Sequence, residues 1–388
     1  MPGPASRRLP MVRRLMLSDF RSYPTLDLSM SGRLVAFIGE NGAGKTNLLE
    51  AISLFTPGRG LRRVDLSEMI AQEGAGGFAL SLTLTDEDGD ERRLGTAIEP
   101  VLPGQIGARK CRIDGAMVTS PSAFADHVRL VWLTPAFDGL FAGSAGDRRR
   151  FLDRLVLAVD PDHGGRVNAL ERALRSRNRL LEEERPDEAW LDAIEREVAE
   201  TGVAVAAARR ETVARMAALI ASTKDEASAF PWAHIALEGP IESELATAAA
   251  IDVEDTYRDW LRESRWRDRA AGRTLIGPQA SDLVVHHGPK NIAASRASTG
   301  EQKALLVGLV LAHAQLLASM GGVAPLILLD EVAAHLDPRR RSALFDRLDT
   351  MGVQVFMTGA DPLAFADMPA SAQVFMVTPG LVEPYFPS

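Results

Sequence analysis

Cysteine is nearly absent. Cys111 is the single one among 388 residues, so an intrachain disulfide is impossible and a thiolate zinc cluster within one chain is excluded. Long apolar runs are missing too. None reaches the roughly 18 consecutive apolar residues needed to cross a bilayer, so no membrane association is expected. The N-terminal stretch, Met1 to Leu17, carries Arg7, Arg8, Arg13 and Arg14. It lacks the continuous apolar core and small-residue cleavage site of a secretory signal, and a cytoplasmic protein is expected. Nor is there an excess of positive charge. The formal net charge is −8, which excludes a uniformly basic nucleic-acid coat but leaves room for a basic stripe on an acidic body.

What is present is the composition of a globular chain, 46% hydrophobic and 25% charged, long enough for one large domain or two ordinary ones. Leu34 to Ile38 is an apolar run between Gly32 and Gly39, the pattern of a buried strand, and Val12 to Leu17 reads as a strand before it. A helix is predicted from Lys45 to about Leu54. Residues 78 to 118 alternate between apolar and polar, broken at Asp88-Gly89 and Asp114-Gly115, and predict antiparallel strands. From Arg148 to about Leu219 the texture becomes helical. Leu170, Leu174 and Leu181 recur at helical spacing, as do Trp190, Ile194, Val198 and Val205, with Pro186 between the two sets. These predict two antiparallel helices joined by a polar turn, the first about 20 residues or ~30 Å long. After about Gly272, α/β texture returns. Strands are expected at Leu283–His286, Pro325–Leu329 and Gln354–Met357, and helices at Gln302–Leu317 and Pro338–Leu348. The predicted fold is α/β: a head made from both ends of the chain, residues 1–145 and 271–388, with a helical lobe and arm inserted at 146–270.

Gly39-Glu40-Asn41-Gly42-Ala43-Gly44-Lys45-Thr46 satisfies G-x-x-x-x-G-K-[ST] at every fixed position, with a strand entering and a helix leaving. Glycines let successive N–H groups turn toward phosphate oxygens, and a helix N-terminus adds a favourable dipole. Lys45 is suited to the β- and γ-phosphates of ATP, and the Thr46 hydroxyl to Mg²⁺. Leu326 to Leu329 is an apolar strand ending in Asp330 and Glu331. Asp330 is the expected partner of Mg²⁺, and Glu331, one residue on, a general base for the attacking water. Ser298-Thr299-Gly300-Glu301-Gln302 opens a helix 32 residues ahead of Asp330 (330 minus 298). By itself it is a good helix cap. Its place between the phosphate loop and the acidic pair makes it a second anion site.

Phosphate loop, helical insertion, Ser298–Gln302 signature, acidic strand and Leu336-Asp337, in that order, resemble the ABC-type ATPases of the SMC and Rad50 group. So does Gly44-Lys45-Thr46-Asn47-Leu48-Leu49-Glu50-Ala51-Ile52. The resemblance implies that the signature of one subunit (Ser298, Gly300, Glu301) completes the ATP site of another, that Asp337 belongs to the D-loop, and that ATP drives homodimerisation. Leu17-Ser18-Asp19-Phe20-Arg21-Ser22-Tyr23, Gly146 to Asp153, and Gly277-Pro278 with Asp282-Leu283 are similar to the RecF family. In that group an Arg at the position of Arg21 lies near the nucleotide, and Asn47 follows the phosphate loop. Lys45 and Ser298 are 253 residues apart (298 minus 45), too few for long coiled coils, and one cysteine cannot supply a zinc hook. The resemblance implies weak ATP hydrolysis, binding to double-stranded and gapped DNA, RecR and RecO as partners, and help in loading RecA. Met357-Thr358-Gly359 offers no imidazole where a switch histidine is usual, so Thr358 is expected to sense the γ-phosphate and hydrolysis to be slow. Arg172, Arg175 and Arg179, with Arg166 and Arg177, give the first arm helix a basic character and are the candidate DNA contacts. A structural SMC-like tether and a transporter ATP-binding subunit are the alternatives; the missing histidine and the arm argue against the latter.

Overall fold

The structure, a computed structural model, describes residues 9–86, 89–100, 107–226 and 228–386. Arg7, Arg8 and the Asp88 of the expected Asp88-Gly89 turn lie outside the described residues. Along the chain the elements begin with strands β1 (Met11–Phe20), β2 (Tyr23–Ser29) and β3 (Leu34–Ile38), then helix α1 (Lys45–Ser53). Strands β4 (Phe78–Thr85), β5 (Glu91–Ile98), β6 (Arg109–Ile113), β7 (Ala116–Val118) and β8 (Arg129–Leu133) follow. The helical section holds α2 (Ala145–Val159), α3 (His163–Glu182) and α4 (Glu188–Ser222), then β9 (Ala233–Glu238), α5 (Pro240–Glu244) and α6 (Ala250–Ala271). The chain closes through β10 (Asp282–His287), β11 (Ile292–Ala293), α7 (Thr299–Ser319), β12 (Pro325–Leu329), α8 (Pro338–Met351), β13 (Val355–Gly359), β14 (Gln373–Thr378) and β15 (Leu381–Pro384).

Two units emerge. The first draws on Met1–Asp138, Ala227–Pro231 and Thr299–Ser388. Its central sheet has the order β15-β14-β3-β13-β12-β8, parallel except for the β15 edge. Strands β3, β12 and β13 are buried at every position, as expected of parallel strands covered on both faces. A second, antiparallel sheet has the order β2-β1-β4-β5-β6-β7. Its register sets Leu15 opposite Leu82 and Leu17 opposite Leu80, so alternate residues enter the core while Met16 between them stays 39% exposed. One apolar cluster joins these leucines to α1 and to Phe37, Leu328 and Phe356 of the parallel sheet. Beside it the buried Gln354 amide accepts from Val12 N–H (2.7 Å) and donates to Val12 and Gly32 carbonyls (3.2 and 3.0 Å), so this buried polar group is satisfied. Helix α7 is apolar on all sides. Its length and mean hydropathy of 1.3 would suit a bilayer, yet 78% of that window is buried inside the protein, which marks a core helix.

The second unit comprises Gly139–Glu226 and Trp232–Ser298. The connection 183–187 turns α4 back along α3, and Leu170, Leu174, Leu181, Ile194, Val198 and Val205 form its core. Trp190 departs from the expected stripe and is 59% exposed. It points away from Glu188, Asp192 and Glu195, which face Arg265 of α6. The return to the head comes later than residue 271. Strand β10 pairs with β9 from Asp282↔Glu238 to His287↔Ala233, and that pairing keeps it in the helical unit.

Arg177 is the largest fully buried side chain. Its guanidinium donates to Glu195 (3.0 Å), Asp268 (2.7 Å), the Thr274 hydroxyl (2.8 Å) and the Leu261 carbonyl (2.7 Å). One side chain thus ties α3, α4 and α6 together. Removing one partner of such a pair leaves buried charge uncompensated, typically at about 3–5 kcal/mol. Arg177→Met should lower the urea midpoint accordingly, whereas Arg172→Met on the exposed face of α3 should leave it nearly unchanged.

Candidate nucleotide-binding site

The carboxyl-terminal edge of the parallel sheet gathers the predicted chemistry. The order β3-β13-β12 places the phosphate loop after β3, Asp330 and Glu331 after β12, and the end of β13 between them. This is where parallel α/β sheets hold ligands. Sterics require the glycines at both ends of the loop. Gly39 has φ 154°, and a Cβ there would lie 2.2 Å from the Val377 carbonyl oxygen; Gly44 has φ 106°, and its Cβ would lie 2.7 Å from Ser22 Oγ. The loop is further held by Tyr23 Oη donating to the Gly44 carbonyl (3.2 Å) and Asn47 Nδ2 donating to Ser22 Oγ (2.9 Å).

Lys45 is 4% exposed, and its ammonium donates to the carbonyls of Gly39 and Glu40, both at 2.8 Å. Burial pulls its pKa down from the ordinary lysine range, opposed by the charges of Glu331 and Asp330. Thr46 Oγ1 donates to Asp330 Oδ1 at 2.9 Å. Burial also pushes the Asp330 carboxyl above its ordinary range, opposed by hydrogen bonds from Thr358 and Thr46. A hydroxyl and a carboxylate this close, beside a buried ammonium, are hard oxygen donors that suit Mg²⁺ with a phosphate. The residues therefore fit both ATP and the cation. Glu331 follows with φ 50°, a left-handed backbone that turns the chain sharply off the strand. Thr358 is fully buried. Its hydroxyl donates to Asp330 Oδ1 (2.7 Å) and accepts from Glu331 N–H (2.9 Å). Its single proton is thus committed to Asp330 in this arrangement.

Arg21, expected near the nucleotide, is engaged within the fold. It has φ 54° and grips Glu50 through two bonds (2.8 and 3.0 Å) while donating to the Glu68 carbonyl (2.8 Å). Arg62 donates to Glu50 (2.9 Å) and to Asn47 Oδ1 (3.0 Å). Glu50, fully buried beneath two arginines, was missed at the sequence level. Its signal was an acid amid the apolar Leu48, Leu49, Ala51 and Ile52 of α1.

Ser298 is exposed just ahead of α7, and Gly300 and Glu301 occupy that helix's first turn. Asp337 caps α8, accepting from Arg340 N–H (2.9 Å). Arg340 in turn donates to the carbonyls of Gly300 (3.5 Å) and Ala229 (3.3 Å). The starts of α7 and α8 are therefore linked by an arginine that no motif had indicated. Asn41 and Gly42 at the crest of the phosphate loop are exposed, and Ala43 is buried beneath them. Arg172, Arg175 and Arg179 belong to the second unit and lie on α3, where Arg172 and Arg175 are exposed and Arg175 is loosely paired to Glu171 at 3.7 Å. Arg177, buried, and Arg166, paired to Asp160, are not available to DNA in the same way.

The family model of the RecF/RecN/SMC N terminal domain matches residues 11–383. The chain is 52% identical over 369 residues to the DNA replication and repair protein RecF of Allorhizobium ampelinum, covering 95% of this chain and 97% of that protein. It is equally 52% identical over 373 residues to RecF of Mesorhizobium japonicum, covering 96% and 97%. Among solved structures it superposes on the recombination mediator protein RecF-ATP of the RecFOR pathway with a TM-score of 0.81 at 22% identity, covering 97% of this chain and 98% of that one. The Smc head domain of Pyrococcus furiosus aligns at TM-score 0.53 and 17% identity, covering 97% and 96%; these two likenesses show the fold, an ABC-type ATPase head of the SMC kind. The sheet order, the phosphate loop and the sequence identity agree: the chain belongs to the RecF family.

Proposed function

We propose that this protein is an ATP-dependent DNA clamp of recombinational repair. Two heads close around ATP and Mg²⁺ on double-stranded DNA at gaps, and slow hydrolysis reopens them. The juxtaposition of Lys45, Thr46, Asp330 and Glu331 along one sheet edge carries this reading. ATP supplies the scissile phosphoanhydride, and Mg²⁺ the charge that neutralises its oxygens. Lys45 would exchange its two carbonyl partners for phosphate oxygens, and Thr46 and Asp330 would hold the cation. Glu331, turned off β12 by its left-handed backbone, orients and deprotonates the attacking water. Ser298, Gly300 and Glu301 of a second copy would wall the triphosphate on its open side, with Asp337 at the same face. The family relatives are named DNA replication and repair proteins, and the RecF-ATP structure is assigned to the RecFOR pathway. These names support RecR and RecO as partners; RecA loading as the outcome and the cytoplasm as the site of action are proposed from the family resemblance alone. Arg172, Arg175 and Arg179 of α3 are the proposed phosphate contacts, with residues 146–270 as the DNA-facing lobe.

A titration of duplex and gapped DNA with and without ATP, at two salt concentrations, tests the whole scheme. ATP should strengthen binding and convert monomers to dimers in sedimentation. The Arg172→Ala, Arg175→Ala, Arg179→Ala triple variant should weaken binding and flatten the log–log salt slope by about 0.9 for each phosphate no longer neutralised. ATP binding without any DNA binding would favour the structural-tether alternative, and DNA binding indifferent to ATP would overturn the clamp. An unchanged salt slope in the triple variant would move the DNA surface elsewhere.

A further inference from the structure

The end of β13 lies between the two strands that carry the chemistry. Thr358 pairs in register with Phe37 of β3, and Met357 with Leu329 of β12. Gly39 N–H, the first donor of the phosphate loop, bonds to the Gly359 carbonyl at 3.3 Å. Thr358 is therefore the side chain at the midpoint of the site. A buried threonine in a strand needs no special explanation, since β-branched residues suit strands. The hydrogen bonding of this one does. A single fully buried hydroxyl, 2.7 Å from Asp330 Oδ1 and 2.9 Å from Glu331 N, uses its one proton on the first residue and a lone pair on the second. Asp330 Oδ1 also accepts from Thr46 Oγ1. The carboxylate is thus pinned from two sides, and the left-handed turn at Glu331 is closed by the same hydroxyl.

We propose that Thr358 is a positioning residue that holds Asp330 in its cation-facing rotamer and Glu331 in its left-handed backbone, coupling the Mg²⁺ partner to the general base. The inference rests on the roles assigned above to Asp330 and Glu331. Partners that orient a metal ligand typically alter metal affinity about 10–100-fold when removed.

The test titrates Mg²⁺ into wild type, Thr358→Val, Thr358→Ser and Thr358→Ala in the presence of a fluorescent ATP analogue. Nucleotide binding is the first readout, steady-state turnover the second. Val and Ala should raise the Mg²⁺ concentration for half-maximal binding about tenfold or more and lower kcat, with KM for ATP at saturating Mg²⁺ changed less than about threefold. Ser should restore wild-type behaviour. Ser and Ala differ by one oxygen, so their comparison stands even if the Val variant folds poorly. Equal Mg²⁺ dependence in Ser and Ala would overturn the proposal. Wild type that binds the nucleotide with no Mg²⁺ dependence would overturn the cation role of Thr46 and Asp330, and this inference with it.

Discussion

Lys45→Ala should bind ATP at least about a hundredfold more weakly than wild type and should fail to dimerise on ATP. The ammonium is aimed into the loop between Gly39 and Thr46. Hydrogen bonds to charged groups contribute about 1.5–3 kcal/mol each. Without its two bonds to phosphate, binding should therefore weaken by about 3 kcal/mol or more, two decades in affinity. The fold should be nearly indifferent. Without nucleotide, Lys45 satisfies only two carbonyls, and its burial already opposes its charge, so replacing it removes a desolvation cost along with the bonds. Fluorescent-nucleotide titration reads the affinity, sedimentation with ATP reads assembly, and a thermal melt without ligand reads the fold. A Lys45→Ala variant that still forms ATP-dependent dimers would remove the phosphate loop from the dimerisation mechanism.

Glu331→Gln should separate binding from hydrolysis. The amide keeps the size and reach of the side chain and leaves the backbone N–H free to bond Thr358 Oγ1 as before, so ATP affinity should stay within a few-fold. It cannot accept a proton from water, and loss of a general base lowers turnover by about 10²–10⁴-fold. ATP-bound dimers on DNA should then outlive those of wild type by a comparable factor, if hydrolysis is what reopens the heads. Single-turnover phosphate release and the lifetime of the DNA complex after a competitor chase give the two numbers. Parental turnover in the variant would assign the base to another group.

The elements legible in the sequence share a local cause. Leu34–Ile38 and Pro325–Leu329 were placed to the residue, because strands buried on both faces of a parallel sheet are unbroken apolar runs with glycine or charge at their ends. The phosphate loop was legible for a related reason: its glycines answer to backbone clashes within a few ångströms, such as that of Gly39 with Val377. The paired arm helices showed through their leucine spacing. The basic run on α3 was a weaker guide, since composition cannot say which side chains face inward. Arg172 and Arg175 are exposed, while Arg177 is the buried centre of an ion network.

Chain pattern thus indicates where strands and helices lie, and where a glycine loop joins a buried strand to a helix. Packing settles who meets whom. Glu50 beneath Arg21 and Arg62, Arg340 between Gly300 and Asp337, Gln354 joining the two sheets, and β10 pairing with β9 all depend on how the chain packs. No local periodicity encodes such meetings. Thr358 is the clearest case: its position after an apolar strand drew notice in the sequence, but its partners did not. It becomes the link between Asp330 and Glu331 only because β13 is laid between β3 and β12, and strand order is a property of the whole fold.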